Sequence, residues 1–232
     1  MVPQYKSALI VGAGEGLSAS LARLFAGEGL RLGLVARNAE KLRQLAADTN
    51  AWTFSCDASV PLEVARLFES VDAEFGSPEV VVYNASYRTR GPLVDLDPDA
   101  VAKTMAACAY GGFLVAQQAA RRMLPNAHGA ILFTGASASV KGYPLSAPFA
   151  MGKFALRGLA QSLARELQPK GIHVAHFVID GGIRNPGRAE AADAPDSLLD
   201  PDAIAQSYLH VLRQDRSAWT SEVELRPWVE KF

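Results

Sequence analysis

Apolar residues along this chain follow two alternating patterns. Short runs rich in Val, Ile and Leu are apolar at consecutive positions, whereas longer segments place apolar residues at helical spacing. The short runs predict strands at residues 7–11, 32–36, 52–55, 80–83, 130–134 and 173–179, with a last short strand near 222–225. The longer segments predict helices at about 16–28, 39–48, 61–75, 98–123, 149–167 and 201–214.

The order of these elements predicts the fold class. Strands that are apolar on both faces and alternate with helices indicate a parallel sheet covered on both sides. Right-handed crossovers then make the sheet doubly wound, so we expect an α/β fold in three layers, α/β/α. The longest helix has a good N-cap in Asp97 with Pro98 at its first position, and Pro125 and Gly129 follow its predicted end.

The length of 232 residues fits a single domain, which we expect to span residues 1–232. The one candidate linker, residues 185–200, is rich in Ala, Asp and Pro. Too little chain follows it to build a second core. A mobile loop over a substrate site, at about 184–200, is therefore the better interpretation.

Charge and composition exclude several classes of partner. The 23 Lys and Arg residues are matched by 24 Asp and Glu residues scattered along the chain, so no basic stripe points to nucleic acid. The first residues lack the pattern of a signal peptide, and no apolar run is long enough to cross a membrane. We expect a cytoplasmic protein with no membrane partner.

Cysteine and histidine positions predict no metal site. Cys56 and Cys108 lie far apart and match neither a metal-ligand spacing nor a disulfide framework, so two reduced, buried thiols are expected. The four histidines are interpreted as structural or surface residues because their spacing forms no metal cluster; they are His128, His173, His176 and His210.

A glycine-rich turn directly follows the first predicted strand and opens the first helix. It reads Gly12-Ala13-Gly14-Glu15-Gly16-Leu17-Ser18. Glycines in this context let the backbone N–H groups of a helix N-terminus approach a pyrophosphate, where the helix dipole favours negative charge. A mere tight turn is the structural alternative. The position after an N-terminal strand in a βαβ repeat favours a dinucleotide site.

Arg37 at the end of the second strand bears on which dinucleotide binds. It stands about twenty residues after the turn, where an acidic residue would hydrogen-bond the ribose 2′-OH of NAD. An arginine there suits the 2′-phosphate of NADP instead. Glu15 argues the other way, because a carboxylate in the turn repels phosphate, and Arg37 could also be a solvated surface charge. NADP is the predicted cofactor, with NAD possible.

The turn, together with Asp57, the segment Asn84-Ala85-Ser86 and Lys153, makes the chain resemble the short-chain dehydrogenase/reductase family over nearly its full length. The resemblance implies a Rossmann fold that binds NAD(P). The family's Gly-x-x-x-Gly-x-Gly turn falls on Gly12 and Gly16, with Ser18 in the third place. Asp57 matches the residue that contacts adenine, and Ser86 replaces the glycine of the family's Asn-Ala-Gly. The predicted cofactor-binding residues are Gly12, Gly14, Glu15, Gly16, Leu17, Arg37, Asp57, Ala58, Asn84, Ala85, Ser86, Lys153, Gly181 and Ile183.

The catalytic positions that the resemblance implies are altered in this chain. Enzymes of the family use a tyrosine as general acid and a lysine four residues later, and here Phe149 precedes Lys153. The family's serine position falls on Ala136, with Ser137 beside it, and its asparagine position falls on Cys108. The Pro-Gly after the sixth strand is replaced by Asp180-Gly181.

Phenylalanine has no dissociable proton, and a positioned general acid contributes about 10²–10⁴-fold to rate. We therefore expect poor reduction of ordinary ketones. Lys153 is predicted to hold the nicotinamide ribose, the alternative being an exposed helix lysine. Tyr143 is the first candidate for a substitute donor, although its ring could equally pack under its loop. The other hydroxyls on the expected site loops are Ser137, Ser139 and Tyr87. Cys108 could act as a nucleophile, but a buried inert thiol is the preferred interpretation.

Three functions remain open at this stage. The first is an NADP-preferring oxidoreductase that acts on a small organic molecule, using another donor or a substrate that needs little acid assistance. The second is a non-catalytic dinucleotide-binding protein, a sensor or assembly subunit. An acid–base enzyme without cofactor is disfavoured by the intact turn. Trp219 and Trp228 either line a pocket or pack between subunits, and the long helices suit a homodimer or homotetramer as the family resemblance implies.

Overall fold

A computed structural model describes residues 4–229, in which seven strands form one parallel sheet flanked by helices. Residues 1–3 and 230–232, at the two ends of the expected domain, lie outside the described residues. The strands of this sheet are β1 (Ser7–Val11), β2 (Arg31–Ala36), β3 (Trp52–Ser55), β4 (Val80–Tyr83), β5 (Gly129–Thr134), β6 (Ile172–Ile179) and β9 (Glu222–Leu225). Their order across the sheet is β3-β2-β1-β4-β5-β6-β9.

Two apolar clusters, one on each face of the sheet, confirm the predicted three-layer arrangement. Phe68 and Phe133 belong to one cluster, and Phe25 and Phe177 belong to the other. The helices that cover the sheet are α1 (Leu17–Gly27), α2 (Arg43–Thr49), α3 (Pro61–Phe75), α4 (Pro98–Met105), α5 (Gly111–Met123), α6 (Ala147–Leu167) and α7 (Pro201–Leu212). None of the helices within residues 4–229 is long and apolar enough to span a bilayer.

The strand order reverses between β1 and β4. The chain moves outward from β1 to β2 and β3, then returns to the other side of β1 to form β4. The two strands run parallel, with Val11 opposite Tyr83 at their carboxyl ends. In open sheets of this kind, ligands bind in the crevice at such a switch point. The predicted glycine turn follows Val11 and therefore lies in that crevice.

Two predicted helices differ in detail from the sequence pattern. The segment predicted as a helix at 39–48 begins with a 3₁₀ turn, Ala39–Leu42, before α2. The segment predicted as one helix to Met123 contains a π turn at Ala106–Tyr110, between α4 and α5. The hydroxyl of Tyr83 donates a 2.6 Å hydrogen bond to the carbonyl of Ala107 in that turn. A side chain that donates a hydrogen bond to a helix carbonyl in this way favours a local bulge in that helix.

The predicted loop at 184–200 carries a short strand of its own. β8 (Leu198–Leu199) pairs in parallel with β7 (Gly182–Ile183), which follows β6. The backbones of Asn185 and Arg188 also bond to each other in both directions. The two ends of the 184–200 loop therefore lie side by side.

Candidate active site

Gly12 directly follows β1 and has a conformation and surroundings that suit glycine alone. Its φ is +86°, and a Cβ at this position would lie 2.4 Å from the backbone nitrogen of Ala85. Asn84, beside Ala85, donates from Nδ2 to Ser18 Oγ over 2.7 Å, and that hydroxyl donates to the carbonyl of Gly12 over 3.1 Å. The predicted cofactor residues after β1 and β4 are thus joined into one rigid unit. Ser18 takes part in holding this turn, whereas a glycine in its place would have no side chain to do so.

The N-terminus of α1 is open toward the crevice. Gly16 provides no side-chain cap, and the first turn contains no acidic residue. A Cβ on Gly14 would meet no atom within 4 Å, so there is free space above the turn. The first N–H groups of a helix have no partner within the helix, and they attract an anionic oxygen. Glu15 is exposed, and Leu17 is buried against the core.

Arg37 and Asp57 lie together at the ends of β2 and β3. The two strands are in register at Ala36 and Ser55, and Ser55 Oγ donates to the carbonyl of Arg37 over 3.0 Å. The pKa of Asp57 is lowered chiefly by a hydrogen bond from the Ser59 hydroxyl, with a smaller contribution from the charge of Arg37. Arg37 itself is exposed.

Ala58 and Ser86, two further predicted cofactor-binding residues, differ from each other in burial. Ala58 is buried, with its carbonyl 2.8 Å from the position of a Cβ on Gly111, whereas Ser86 is exposed. Ile183 stands in β7, and a Cβ on Gly16 would lie 3.8 Å from Cβ of Asn185 two residues later. The start of the 184–200 loop therefore lies beside the glycine turn.

Lys153 is buried within α6, with only 3% of its surface exposed. Its ammonium donates a 2.8 Å hydrogen bond to the carbonyl of Thr134, the last residue of β5. Burial lowers its pKa below the ordinary lysine value. The alternative of an exposed helix lysine is wrong.

Phe149 is half-buried one turn before Lys153. The Lys153 ammonium lies 5.7 Å from the centroid of its ring, and the guanidinium carbon of Arg88 lies over the same ring at 5.0 Å. Arg88 follows β4 and was not identified from the sequence, because the contact joins a loop to a helix far away in the chain. Two cations thus surround the position where the resemblance implies a tyrosine.

The residues after β5 differ in their access to the site. Ala136 and Ser137 are half-buried, while Ser139 is completely buried. The Ser139 hydroxyl accepts a 3.1 Å hydrogen bond from the backbone nitrogen of Ala136. Ser139 therefore stabilises the turn, and its burial removes it as a proton donor to an incoming substrate. Ser137 is the one predicted hydroxyl of this turn that keeps partial exposure.

Cys108 lies in the π turn and is completely buried as a free thiol. Its Sγ donates a 3.4 Å hydrogen bond to the carbonyl of Tyr87. A Cβ on Gly152 would lie 2.7 Å from Cβ of Cys108, so the two helices approach closely at this point. These contacts fit the interpretation of an inert thiol with a structural role. Cys56 is likewise a buried free thiol.

Tyr143 lies on the loop before α6 with 42% of its surface exposed, so its ring is not packed beneath that loop. The Lys141 ammonium lies 5.9 Å from the ring centroid, and Lys141 forms a 3.1 Å ion pair with Asp180. Hydrogen bonds to Asp180 and then to Tyr143 raise the pKa of Lys141. Tyr143 is therefore associated with Lys141 and Asp180.

Asp180, in the place of the family's proline, is a buried carboxylate at the end of β6. Besides Lys141 it pairs with Arg226 at 3.6 Å. The following Gly181 has a φ of +155°, and a Cβ there would lie 2.8 Å from a Leu199 side-chain carbon. The altered Asp-Gly sequence thus connects the site loop before α6 with the segment after β9. The exchange of proline for aspartate was visible in the sequence, but its two partners were not.

Both predicted tryptophans, and two of the histidines, have partners within the chain. Trp219 stacks on His173 with the ring centroids 4.5 Å apart. Trp228 donates a 3.1 Å hydrogen bond to Asp196 and lines a cavity of about 450 Å³ between the 184–200 loop, α7 and the segment after β9. His176 is buried and pairs with Glu222 at 3.2 Å. Within residues 4–229, no group of three or more His, Cys, Asp or Glu side chains is arranged to hold a metal ion.

Comparisons with known proteins agree with this geometry. The family described as short chain dehydrogenase matches residues 6–194. A D-threitol dehydrogenase of Mycolicibacterium smegmatis is 31% identical over 174 residues, which cover 73% of this chain and 67% of that protein. The crystal structure of a short-chain dehydrogenase from Rhodopseudomonas palustris is 35% identical, with a TM-score of 0.83 and coverage of 97% of this chain and 100% of that one. A metagenomic short-chain oxidoreductase in complex with NADP is 27% identical, with a TM-score of 0.82 and coverage of 97% and 98%.

Proposed function

The chain belongs to the short-chain dehydrogenase family, and from that premise we propose that it is an NADP-preferring oxidoreductase with an atypical active site. It transfers hydride to or from a small organic substrate. The nicotinamide cofactor, when bound, supplies or accepts that hydride. The protein binds and orients both reactants at the carboxyl edge of the sheet, and the 184–200 loop covers the substrate.

The observation that carries this proposal is the open N-terminus of α1 at the switch point. Gly12 brings β1 and β4 together, and Gly14 leaves free space above the uncapped helix end. Backbone N–H groups and the helix dipole together favour a pyrophosphate there. The residues present therefore fit a dinucleotide.

Arg37 is the basis for the preference for NADP. It stands exposed beside Asp57, so its guanidinium is free to pair with a 2′-phosphate while Asp57 contacts the adenine. An Asp or Glu that would bind a 2′-OH is missing at position 37. The related metagenomic oxidoreductase that was solved with NADP supports the same preference.

Lys153 holds the nicotinamide ribose in this proposal. An ammonium group has three donors, and Thr134 accepts one of them. A ribose diol offers acceptors for the others. Because Lys153 is buried, its side chain is already fixed before the cofactor binds, which reduces the entropic cost of binding.

Because Phe149 stands in the tyrosine position, the proton for the substrate must come from another source. Tyr143 is the first candidate, with Ser137 as the second, because both retain exposure on the loop before α6. The alternative is a substrate that needs little acid assistance, such as an iminium or an activated alkene whose proton comes from water. Ala136, in the place of the serine, has no hydroxyl, and the thiol of Cys108, in the place of the asparagine, is completely buried.

A non-catalytic dinucleotide-binding protein is the second candidate function. The observation that favours it is the packing of Arg88 over Phe149, which covers part of the position that a general acid would occupy. The glycine turn and Lys153 would serve a binding protein equally well. The two candidates differ in whether cofactor is consumed.

We also propose that the chain forms a homodimer or homotetramer through its long helices. Large apolar side chains are exposed on the π turn, α5 and α6, and they are Tyr110, Phe113, Met151 and Phe154. Exposed apolar groups on neighbouring helices favour pairing with a second copy. Light scattering after size exclusion is expected to give at least twice the chain mass, and a strict monomer would contradict the pairing.

The catalytic proposal is tested by returning the missing acid and measuring NADPH oxidation by absorbance with ketones, imines and activated alkenes. The wild type is expected to turn over imines or activated alkenes and to reduce ketones poorly. The double variant Phe149→Tyr with Ala136→Ser is expected to raise ketone reduction by about 10²-fold or more. Ala136→Ser alone, which restores the serine without the phenol, is the control. NADPH binding without consumption in either form would favour the non-catalytic candidate.

A further inference from the structure

Arg88 lies over Phe149, and the charges of Arg90 and Arg188 act on it; we call these three residues the arginine cluster. Arg88 and Arg90 come from the loop after β4, and Arg188 comes from the 184–200 loop. Arg188 approaches the start of β7, since a Cβ on Gly182 would lie 3.3 Å from its terminal nitrogen. The cluster therefore draws on both loops that are proposed to border the substrate.

The loop that carries Arg88 is fixed at several points. Its Gly91 backbone nitrogen donates a 3.0 Å hydrogen bond to the carbonyl of Leu145, on the loop before α6. The carbonyl of Tyr87 accepts a hydrogen bond from the Cys108 thiol, and the Lys103 ammonium lies 4.8 Å from the Tyr87 ring centroid. These contacts hold Arg88 over Phe149.

The positive charges of the cluster act on one another. Burial lowers the pKa of Arg88 from its ordinary value, and the charges of Arg90 and Arg188 lower it further. All three side chains are exposed. Like charges held near one another repel, and an anion between them relieves the repulsion.

No carboxylate of the chain supplies that anion within the described part, residues 4–229. Arg88, Arg90 and Arg188 form no ion pair there with an Asp or Glu. Arg184 on the same 184–200 loop differs, because it pairs with Asp200. The fold thus neutralises one arginine of this loop and leaves the charge of the arginine cluster uncompensated.

We propose that the arginine cluster binds an oxyanion group of the substrate, so that the substrate is an anionic small molecule held over Phe149. This inference rests on the proposed function, because it assigns the substrate class of the same site. The guanidinium fork suits a carboxylate or a phosphate, to which it donates two parallel hydrogen bonds. Arg88 and Arg188 are the residues that determine this specificity.

The test measures anion binding separately from cofactor binding. The protein is first titrated with NADP⁺ by calorimetry and then, saturated with NADP⁺, with malonate, inorganic phosphate and neutral malonamide. Malonate or phosphate is expected to bind at least about tenfold more tightly than malonamide, and the tighter of the two anions identifies a carboxylate or a phosphate group. The variants are Arg88→Gln and Arg188→Gln, with Arg184→Gln as the matched control on the same loop.

Loss of the cluster charge is expected to weaken anion binding by about tenfold or more, because charge-assisted hydrogen bonds are lost. Affinity for NADP⁺ should stay unchanged in both cluster variants, and Arg184→Gln should bind the anion as the wild type does. Arg88→Lys, which keeps the charge but not the fork, should be intermediate, and it replaces Arg88→Gln if that variant does not fold.

Equal binding of malonamide, or anion binding that the cluster variants leave unchanged, would overturn the proposal. A loss of NADP⁺ affinity in those variants would also overturn it, since the cluster would then serve the cofactor. If the wild type binds no NADP⁺ at all, the proposed function fails, and the anion titration of the same protein still decides whether the arginine cluster is an anion site.

Discussion

The backbone of Ala85 passes so close to Gly12 that a Cβ on Gly12 would lie 2.4 Å from the Ala85 nitrogen. This contact places the end of β4 against the turn that follows β1. Because the φ of Gly12 is +86°, any other residue would also adopt an unfavourable backbone conformation. The contact is therefore a structural requirement of the crevice in which the dinucleotide is proposed to bind.

Gly12→Ala is expected to destabilise the protein by about 2–5 kcal/mol, from a left-handed backbone conformation together with overpacking. Urea unfolding measures this loss. Gly14→Ala is the matched control, because a Cβ there meets no atom within 4 Å and the residue is absent from the positive-φ positions. Its free energy of unfolding should stay within about 0.5 kcal/mol of the wild type. Equal stabilities for the two variants would contradict the close approach of β1 and β4.

Lys153→Met is expected to weaken NADPH binding by about ten- to a hundredfold, because the donors proposed for the ribose are lost. Thermal unfolding should change little, since the variant also removes a buried charge whose pKa burial already lowers. The control is Lys170→Met, which removes an exposed lysine paired with Glu166. Unchanged NADPH affinity in Lys153→Met would contradict the ribose role.

His176 predicts how stability depends on pH. Burial lowers its pKa from 6.5 to about 4, against the opposing effect of Glu222. The unfolded chain takes up the proton more readily than the folded protein. The contribution of neutral His176 to the free energy of unfolding is therefore complete above pH 6.5 and is lost as the pH falls toward 4. A shift of this size corresponds to roughly 3 kcal/mol.

Urea unfolding across that pH window measures the effect. His176→Gln should flatten the decrease in stability, whereas His210→Gln, at an exposed position on α7, should leave it as in the wild type. An unchanged pH dependence in His176→Gln would show that another group is responsible.

The sequence pattern predicted the parallel α/β fold well, because the apolar runs that it depends on are local. Trp52–Ser55, Pro61–Phe75, Val80–Tyr83 and Glu222–Leu225 have the predicted bounds. The π turn at Ala106–Tyr110 was missed because it accompanies a hydrogen bond from Tyr83, a residue of another element.

The candidate site was predictable only in part. Residues in motifs of fixed spacing, such as Gly12 and Lys153, could be located from the chain alone. Arg88 over Phe149 and Lys141 beside Asp180 could not, because each pair joins segments far apart in the chain whose approach depends on the folded sheet. The burial of Ser139 was also invisible in the sequence, although it separates this hydroxyl from the exposed Tyr143.

The central claim is that the crevice binds NADP and that Arg37 recognises its 2′-phosphate. Calorimetric titration with NADPH and NADH tests it most directly, in the wild type, in Arg37→Ala and in Arg31→Ala. Arg31 is the matched control because it is exposed at the opposite end of β2. We predict tight NADPH binding that weakens selectively in Arg37→Ala, with NADH binding and the Arg31→Ala variant unaffected. If neither nucleotide binds to the wild-type protein, the account is contradicted and the fold has been kept without its cofactor.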